Sequence, residues 1–461
     1  MPRTSHFKLL LTGILLLLTA GTRIASAQDE QPEESSRPTY VLTESNLPGK
    51  TFAVKYDLDV TGQVEERVPD NETRTFKIES MATLKYSDRH LPSAGRNEAA
   101  LRSIRYFDQH QTDVTIGDRK TELRLPQKNR LFVVEGRNFE LLYYPPSALL
   151  SANVLEQLRI PFDSLASLGL LPRTAVKQGD NWKPETWALQ LLTGVEAILK
   201  QECLCTLTKV DGNIAFVKFE GKVSGGRFGA ATAVRFIGQY EFDLDRKYLR
   251  DLVVSQTENS SISPVSPGLD VAANIHFTRT PQSSHPQLRD KLAASIPLDP
   301  DPVRLLLAYT SPWEARLLHT RNWHVIPGKF VLLRLMDSGS LITQGTMMGL
   351  PKMEPGKHVP EEQFQKDIVR SLGKKLSKVQ SAEEIETTDG RFLYRVIANG
   401  NSNGRAMTWI YYLAAHPDGR QVSFVFSTES ELMETLNERD IDLIRTIQWP
   451  KAETPTRAVS D

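Results

Sequence analysis

The sequence predicts an α+β protein: a large antiparallel β meander or half-barrel domain, followed by a second antiparallel sheet with flanking helices. Three observations carry this expectation. Apolar and polar residues alternate strictly along Phe52–Val60, and apolar residues return in the same rhythm between Phe76 and Tyr86. That period belongs to strands with one face covered and one wet. Turn residues then recur between short apolar runs, as in a meander. Past a proline-dense stretch the pattern changes to strand pairs punctuated by helical stripes.

The first strand sets Phe52, Val54, Tyr56, Leu58 and Val60 on one face, against Ala53, Lys55, Asp57, Asp59 and Thr61 on the other. Phe76, Ile78, Ala82, Leu84 and Tyr86 continue the apolar face on the next segment. Further strands are expected over Leu101–Asp108, Thr112–Ile116, Thr121–Leu125, Leu131–Val134 and Asn138–Tyr143, divided by Gly117-Asp118, Pro126 and Gly136. Ser151 is placed to cap a short helix carrying Val154, Leu155 and Leu158, which Pro161 ends. Leu165–Leu171 forms an apolar segment closed by Pro172. Strands resume over Gly194–Lys209, Ala215–Val223, Ala231–Asp243 and Tyr248–Gln256 and finish near His276–Thr278, with Asp211-Gly212-Asn213 as a hairpin turn.

In the second half, strands over Phe330–Met336 and Ser340–Gly349 join through Asp337-Ser338-Gly339. Pro360 suits the first turn of a helix whose stripe is Phe364, Ile368, Val369 and Leu372, and Gly373 suits its end. Strands follow over Arg391–Ala398, Ala406–Ala414 and Gln421–Ser427, then a last helix carrying Leu432, Leu436, Ile441 and Ile444.

The expected organisation is a signal peptide over 1–27, a disordered leader over 28–39, an antiparallel β-rich domain over 40–282, a proline-rich linker over 283–302, an α/β domain over 303–450 and a flexible tail over 451–461. Arg3 and Lys8, the apolar run Leu9–Ala20 and Ala25-Ser26-Ala27 make the three-part pattern of a secretory signal with cleavage before Gln28. The run is shorter than the roughly 20 apolar residues that span a bilayer. No transmembrane segment is therefore expected after cleavage, and the product is expected to be exported, periplasmic or extracellular, and soluble. Lys+Arg 56 balances Asp+Glu 56, so there is no overall basic excess of the kind nucleic-acid binding needs.

Several features of the second half coincide: an apolar strand pair, the helix PEEQFQKDIVRSLG, the strands TWIYYL and QVSFVFS, and an acidic helix ending in LIRTIQW. Their order resembles the PsbP-like fold, a seven-stranded antiparallel sheet between helices. That resemblance implies a mostly non-catalytic docking or accessory module, with no catalytic set to transfer. The first half, through LGLLPRTAVKQGDNW and GQYEFDL, resembles uncharacterised β-rich domains of secreted bacterial proteins. Its long amphipathic strands are similar in architecture to the half-barrels of periplasmic lipoprotein carriers.

No nucleophile elbow, phosphate-binding loop or zinc-protease helix occurs. Gly225-Gly226-Arg227-Phe228-Gly229 is followed by a strand, so it reads as a hairpin bend and not as a phosphate cradle. Cys203 and Cys205 share one strand face: free thiols, a strained disulfide and a redox or metal pair all fit that spacing. The histidines are scattered, with His319 and His324 around Trp323 the nearest pair. Trp182 reads as a turn anchor and Trp409 as core, and Arg370, Lys374, Lys375 and Lys378 as a solvated basic face. No catalytic, cofactor or metal residues are predicted.

The expected function is a non-enzymatic binding or docking protein whose partner is an unknown envelope protein or an apolar small molecule. The alternative is a periplasmic carrier of lipid or another apolar molecule, using the first domain's concave face. The candidate ligand face is Phe52, Val54, Tyr56, Leu58, Val60, Phe76, Ile78, Leu84 and Tyr86, either covered as core or open as a groove.

Overall fold

In the computed structural model, residues 37–44, 47–67, 72–92, 101–137 and 140–449 are described. The expected signal peptide, leader and tail lie almost wholly outside them. After β1 (Thr39–Tyr40) come the long β2 (Thr51–Arg67), β3 (Thr73–His90) and β4 (Arg102–Ile116), then β5 (Arg119–Arg124), β6 (Leu131–Arg137) and β7 (Glu140–Tyr144). An interruption follows: β8 (Leu150–Ser151), α1 (Ala152–Leu158), the 3-10 turns of Ser164–Leu170, β9 (Val176–Lys177), β10 (Asn181–Trp182) and α2 (Thr186–Thr193). The meander then returns with β11 (Ala197–Asp211), β12 (Ile214–Arg227), β13 (Ala230–Asp243), β14 (Tyr248–Ser260) and β15 (Gly268–Gln282).

Among the described residues twelve of these fifteen strands form one antiparallel sheet, ordered β10-β11-β12-β13-β14-β15-β2-β3-β4-β6-β7, with β5 on β4, while β1 pairs with β9. The β15–β2 pairing joins the end of the meander to its start, Phe277 facing Tyr56 in register. The sheet is open, with β10 and β7 at its edges. β4 runs unbroken where two strands are expected. A register shift opposite Lys85 and Tyr86 adds one residue at Asp108, and this bulge is what breaks the alternation in the sequence.

One face of the sheet carries the interruption. Ser151 caps α1 by accepting from the Val154 N–H, as its sequence position implies. Tyr56 donates to the Pro161 carbonyl at 2.6 Å and Tyr240 to that of Leu170 at 3.2 Å. The Phe162 ring meets Phe277 edge-on at 5.0 Å. Gly169 has no room for a side chain, since a Cβ there would lie 2.6 Å from that of Ala188. α2, which no sequence signal marks, closes on Gly194 at φ 71°.

The second half begins with α3 (Asp290–Ser295), β16 (Leu307–Thr310), β17 (Arg316–His319), β18 (Trp323–Ile326), β19 (Val331–Asp337) and β20 (Ser340–Leu350). α4 (Glu361–Leu372), β21 (Leu376–Glu384), β22 (Phe392–Ser402), β23 (Arg405–Ala415), β24 (Gln421–Glu429), α5 (Met433–Leu436) and α6 (Arg439–Arg445) complete it. Seven of its nine described strands form an antiparallel sheet ordered β18-β19-β20-β24-β23-β22-β21, while β17 pairs with β16. Strand alternation divides the core between two faces: Trp409 and Leu413 pack with Phe364, Ile368 and Leu372 of α4, while Ile410 and Tyr412 pack with Ile441 and Ile444 of α6. The expected last helix is broken, because Asn437 and Glu438 take φ of 45° and 59°. The edge strand β21 escapes the sequence pattern because it is mostly exposed.

From Thr39 onward the described chain is one compact unit. β8 pairs in parallel with β16, placing a strand from each half side by side. No helix among the described residues is long and apolar enough to cross a membrane.

Candidate functional site

The nine residues of the candidate apolar face divide by depth. Phe52, Val54, Tyr56, Leu84 and Tyr86 are buried in the main core, and Tyr56 bonds to the helical cover. Leu58, Val60, Phe76 and Ile78 are half-buried farther along the same strands. The cover and the sheet thus form ordinary core at one end of the face, and a partly exposed apolar strip remains at the other.

A cleft of about 170 Å³ opens at the edge of this cover, where Arg321 of the second half meets the first. Leu141, Leu158, Ile160 and Leu191 supply apolar wall, and Arg159, Arg227 and Arg321 bring three guanidinium groups. Phe228 stands between them, 5.2 Å from Arg159 and 5.5 Å from Arg227, with the His324 ring edge-on at 5.8 Å. Phe228 sits in the tight β12–β13 turn at φ 50°, and Phe162, beside the cleft, at φ 63°. Each such non-glycine residue costs about 1–3 kcal/mol and persists only where its surroundings hold it. Gly229, next in that turn, abuts the β19–β20 turn: a Cβ would lie 2.7 Å from the Gly339 carbonyl oxygen.

The electrostatics of the cleft are distinctive. Arg321 donates to the Tyr143 carbonyl at 2.8 Å, while its Nε is buried without a hydrogen-bond partner. Burial, with Arg159 nearby, pushes its guanidinium down to about 10. The same two causes push His324 down to about 4. Burial raises the Glu196 carboxyl, which accepts the Phe228 N–H at 3.0 Å. Asp163, at the back, is committed elsewhere: it takes two bonds from Arg105 at 2.6 and 2.7 Å, one from Tyr143 at 2.7 Å and one from the Leu165 N–H at 2.8 Å.

A second, shallower trough of about 710 Å³ lies on the uncovered face of the large sheet. Exposed Met81 and Ile237 and half-buried Val253 give it apolar spots among hydrogen-bonded pairs such as Thr83–Asp57 and Ser255–Asn274. Perturbed groups do not converge on it as they do on the cleft.

Gly225–Gly229 turns a hairpin, and its Arg227 and Phe228 belong to the cleft. His319 is buried, and burial lowers it too. Trp182 donates to the Leu170 carbonyl at 2.9 Å, anchoring its turn. Cys203 and Cys205 are free thiols. Arg370, Lys374, Lys375 and Lys378 are exposed. Among the described residues no group of three or more His, Cys, Asp or Glu is arranged to hold a metal. Sequence reading singled out the glycine-rich turn and the Trp323 neighbourhood separately. Only the tertiary arrangement, which local pattern does not encode, sets them on one cleft.

No protein-family model and no curated protein matches the chain. Among solved structures, it is similar to the cyanobacterial PsbP (CyanoP) of Synechocystis sp. PCC 6803, at 15% identity and a TM-score of 0.26 over 32% of this chain and 92% of that one. It is similar to PA94 of Pseudomonas aeruginosa, a protein of unknown function and putative regulator, at 12% identity and a TM-score of 0.22, over 32% of this chain and 99% of that one. It also resembles lipovitellin, in a structure concerned with lipid–protein interactions, at 11% identity and a TM-score of 0.31 over 52% of this chain and 26% of that one. At scores this low the likenesses carry no argument about ligand or activity.

Proposed function

We propose that the chain is an exported, non-enzymatic binding protein that holds a small molecule in the junction cleft, with its PsbP-like second half serving as the docking module. The observation that supports this most is the convergence of Arg159, Arg227, Phe228 and Arg321 on one small concave space. Concave sites with an apolar wall and a few placed polar groups are where ligands bind, and perturbed titratable groups mark them. The strained Phe228 is consistent with a position kept for its ring.

Phe228→Gly tests this reading. Glycine adopts φ 50° without strain, so the variant keeps its fold while losing the ring. Native mass spectrometry of the exported protein is expected to show a retained small molecule on the wild type and not on the variant. A wild type without any retained mass, or a variant that retains the same mass equally, counts against the cleft as the site. A second reading, the carrier of an apolar molecule, is favoured by the half-buried strip of Val60, Phe76 and Ile78. Under that reading the retained mass is a lipid, and it survives in Phe228→Gly but is lost in Ile78→Asp.

A further inference from the structure

We propose that the junction cleft binds a phosphate group through Arg159, Arg227 and Arg321; this rests on the cleft being the ligand site and names the chemistry of what it holds. A guanidinium carries five N–H donors in a planar fork suited to oxyanions. In the cleft few of these donors are engaged. Arg159 donates to Glu156 at 2.7 Å, away from the opening, and Arg227 makes only long bonds of 3.4 Å to Glu258. Arg321 uses one nitrogen on the Tyr143 carbonyl and leaves Nε buried and unbonded. The lining also carries Glu140, Asp163 and Glu196, while Arg159 and Arg227 pair with Glu156 and Glu258, which lie off it. The four bonds to Asp163 satisfy both its oxygens and bind it to Arg105. Glu196 accepts the Phe228 N–H at 3.0 Å and has Glu140, Arg159 and Arg227 as its charged neighbours. Glu140 alone faces Arg321 with an uncommitted charge.

Unengaged N–H donors of three guanidiniums around a space of about 170 Å³ suit a compact tetrahedral oxyanion, and a phosphate offers them more acceptor oxygens than a single carboxylate does. Such pairing is strengthened by short, charge-assisted, bidentate bonds in a poorly hydrated site. Phe228 fixes two of the planes by packing against both Arg159 and Arg227. The apolar wall of Leu141, Leu158, Ile160 and Leu191 leaves room beside the phosphate for a carbon chain. The phosphate is therefore either free inorganic phosphate or the head of an amphipathic phosphomonoester.

His324 reports on occupancy. It lies against Phe228, its charged neighbours are Arg159 and His319, and Arg334 stands opposite it in the strand pair. A bound phosphate, chiefly a monoanion at the acid pH where His324 titrates, offsets part of that positive field and makes the imidazolium easier to form. The experiment is an NMR titration of His324 in the full chain with three probes at matched ionic strength: inorganic phosphate, dodecyl phosphate and the neutral dodecyl maltoside. Both phosphates are expected to raise the His324 midpoint by at least one pH unit if free phosphate suffices, and dodecyl phosphate alone if the chain is needed. Arg321→Gln, and separately the more exposed Arg159→Gln, are expected to weaken the effect at least tenfold in probe concentration. If dodecyl maltoside binds at the cleft and neither phosphate moves His324, the phosphate assignment is wrong while the cleft remains a ligand site. If none of the three perturbs cleft resonances, both readings fall.

Discussion

Arg105 is among the largest fully buried side chains of the protein, and it lies between two carboxylates. It bonds twice to Asp163, sits 3.4 Å from Asp88, and meets Ser164 at 2.9 Å, while Ser164 in turn donates to Asp88. The guanidinium holds the Asp88 carboxyl below its usual range despite burial. Removing one partner from such a group leaves uncompensated buried charge, which costs about 3–5 kcal/mol. Arg105→Ala is therefore expected to lose stability on that scale in urea unfolding. Arg105→Met combined with Asp88→Asn and Asp163→Asn is expected to recover a good part of the loss, because no charge is then left unpaired. A loss below about 1 kcal/mol in the single variant would mean that water reaches the cluster. At this scale the sequence was legible for Tyr56 and opaque for Arg105. Alternation places Tyr56 on the covered face directly, whereas a charge within a strand reads as a solvent position unless its distant partners are known.

At the scale of elements, the proline-rich segment after β15 behaves as part of the first half. Leu288 is buried with Leu91, Ile104, Val133 and Tyr144. Arg89 donates to the Leu288 carbonyl at 2.6 Å and Arg102 to that of Pro297 at 2.7 Å. Leu307 belongs to the main core of the first half, and β16 pairs with β8. Proline density and a short apolar stretch gave no local sign of these contacts, since their partners lie about 145–200 residues earlier. We therefore propose that the halves separate between β16 and β17, at the cost of the four-residue pairing of those strands, and not at the proline-rich stretch. Residues 39–310 and 311–449 are each expected to unfold cooperatively. A first fragment ending at 282 uncovers the Leu288 site and is expected to be less stable by about 2–5 kcal/mol, the usual cost of emptying a large buried apolar position. Equal denaturation midpoints for fragments ending at 282 and 310 would show that the segment contributes nothing.

For the whole molecule, buried imidazoles set the response to acid. Burial lowers His90, His110 and His319, and it lowers His324 to about 4. In the unfolded chain each returns to the ordinary value near 6.5. Between those limits the unfolded state binds more protons than the native one, so stability falls as pH drops below about 6.5. A single fully buried imidazole contributes at most about 1.4 kcal/mol per pH unit, and solvent screening reduces this for the less enclosed ones. Two groups act the other way. Glu196 and Asp440 are raised by burial, so the native state takes up their protons first and gains stability as pH falls through their range. Each acts between its raised native value and the ordinary carboxylate range, and there two carboxyls offset part of what four imidazoles lose. Asp57, Asp88 and Asp418 are lowered, and their stabilisation is lost only below about pH 4. The melting temperature is therefore expected to drop between pH 7.5 and 5, before any of the lowered aspartates titrates. His324→Gln, which cannot be protonated, is expected to flatten part of that drop. A melting temperature that stays level from pH 7.5 to 5 would mean that these imidazoles titrate as freely in the native protein as in the unfolded chain.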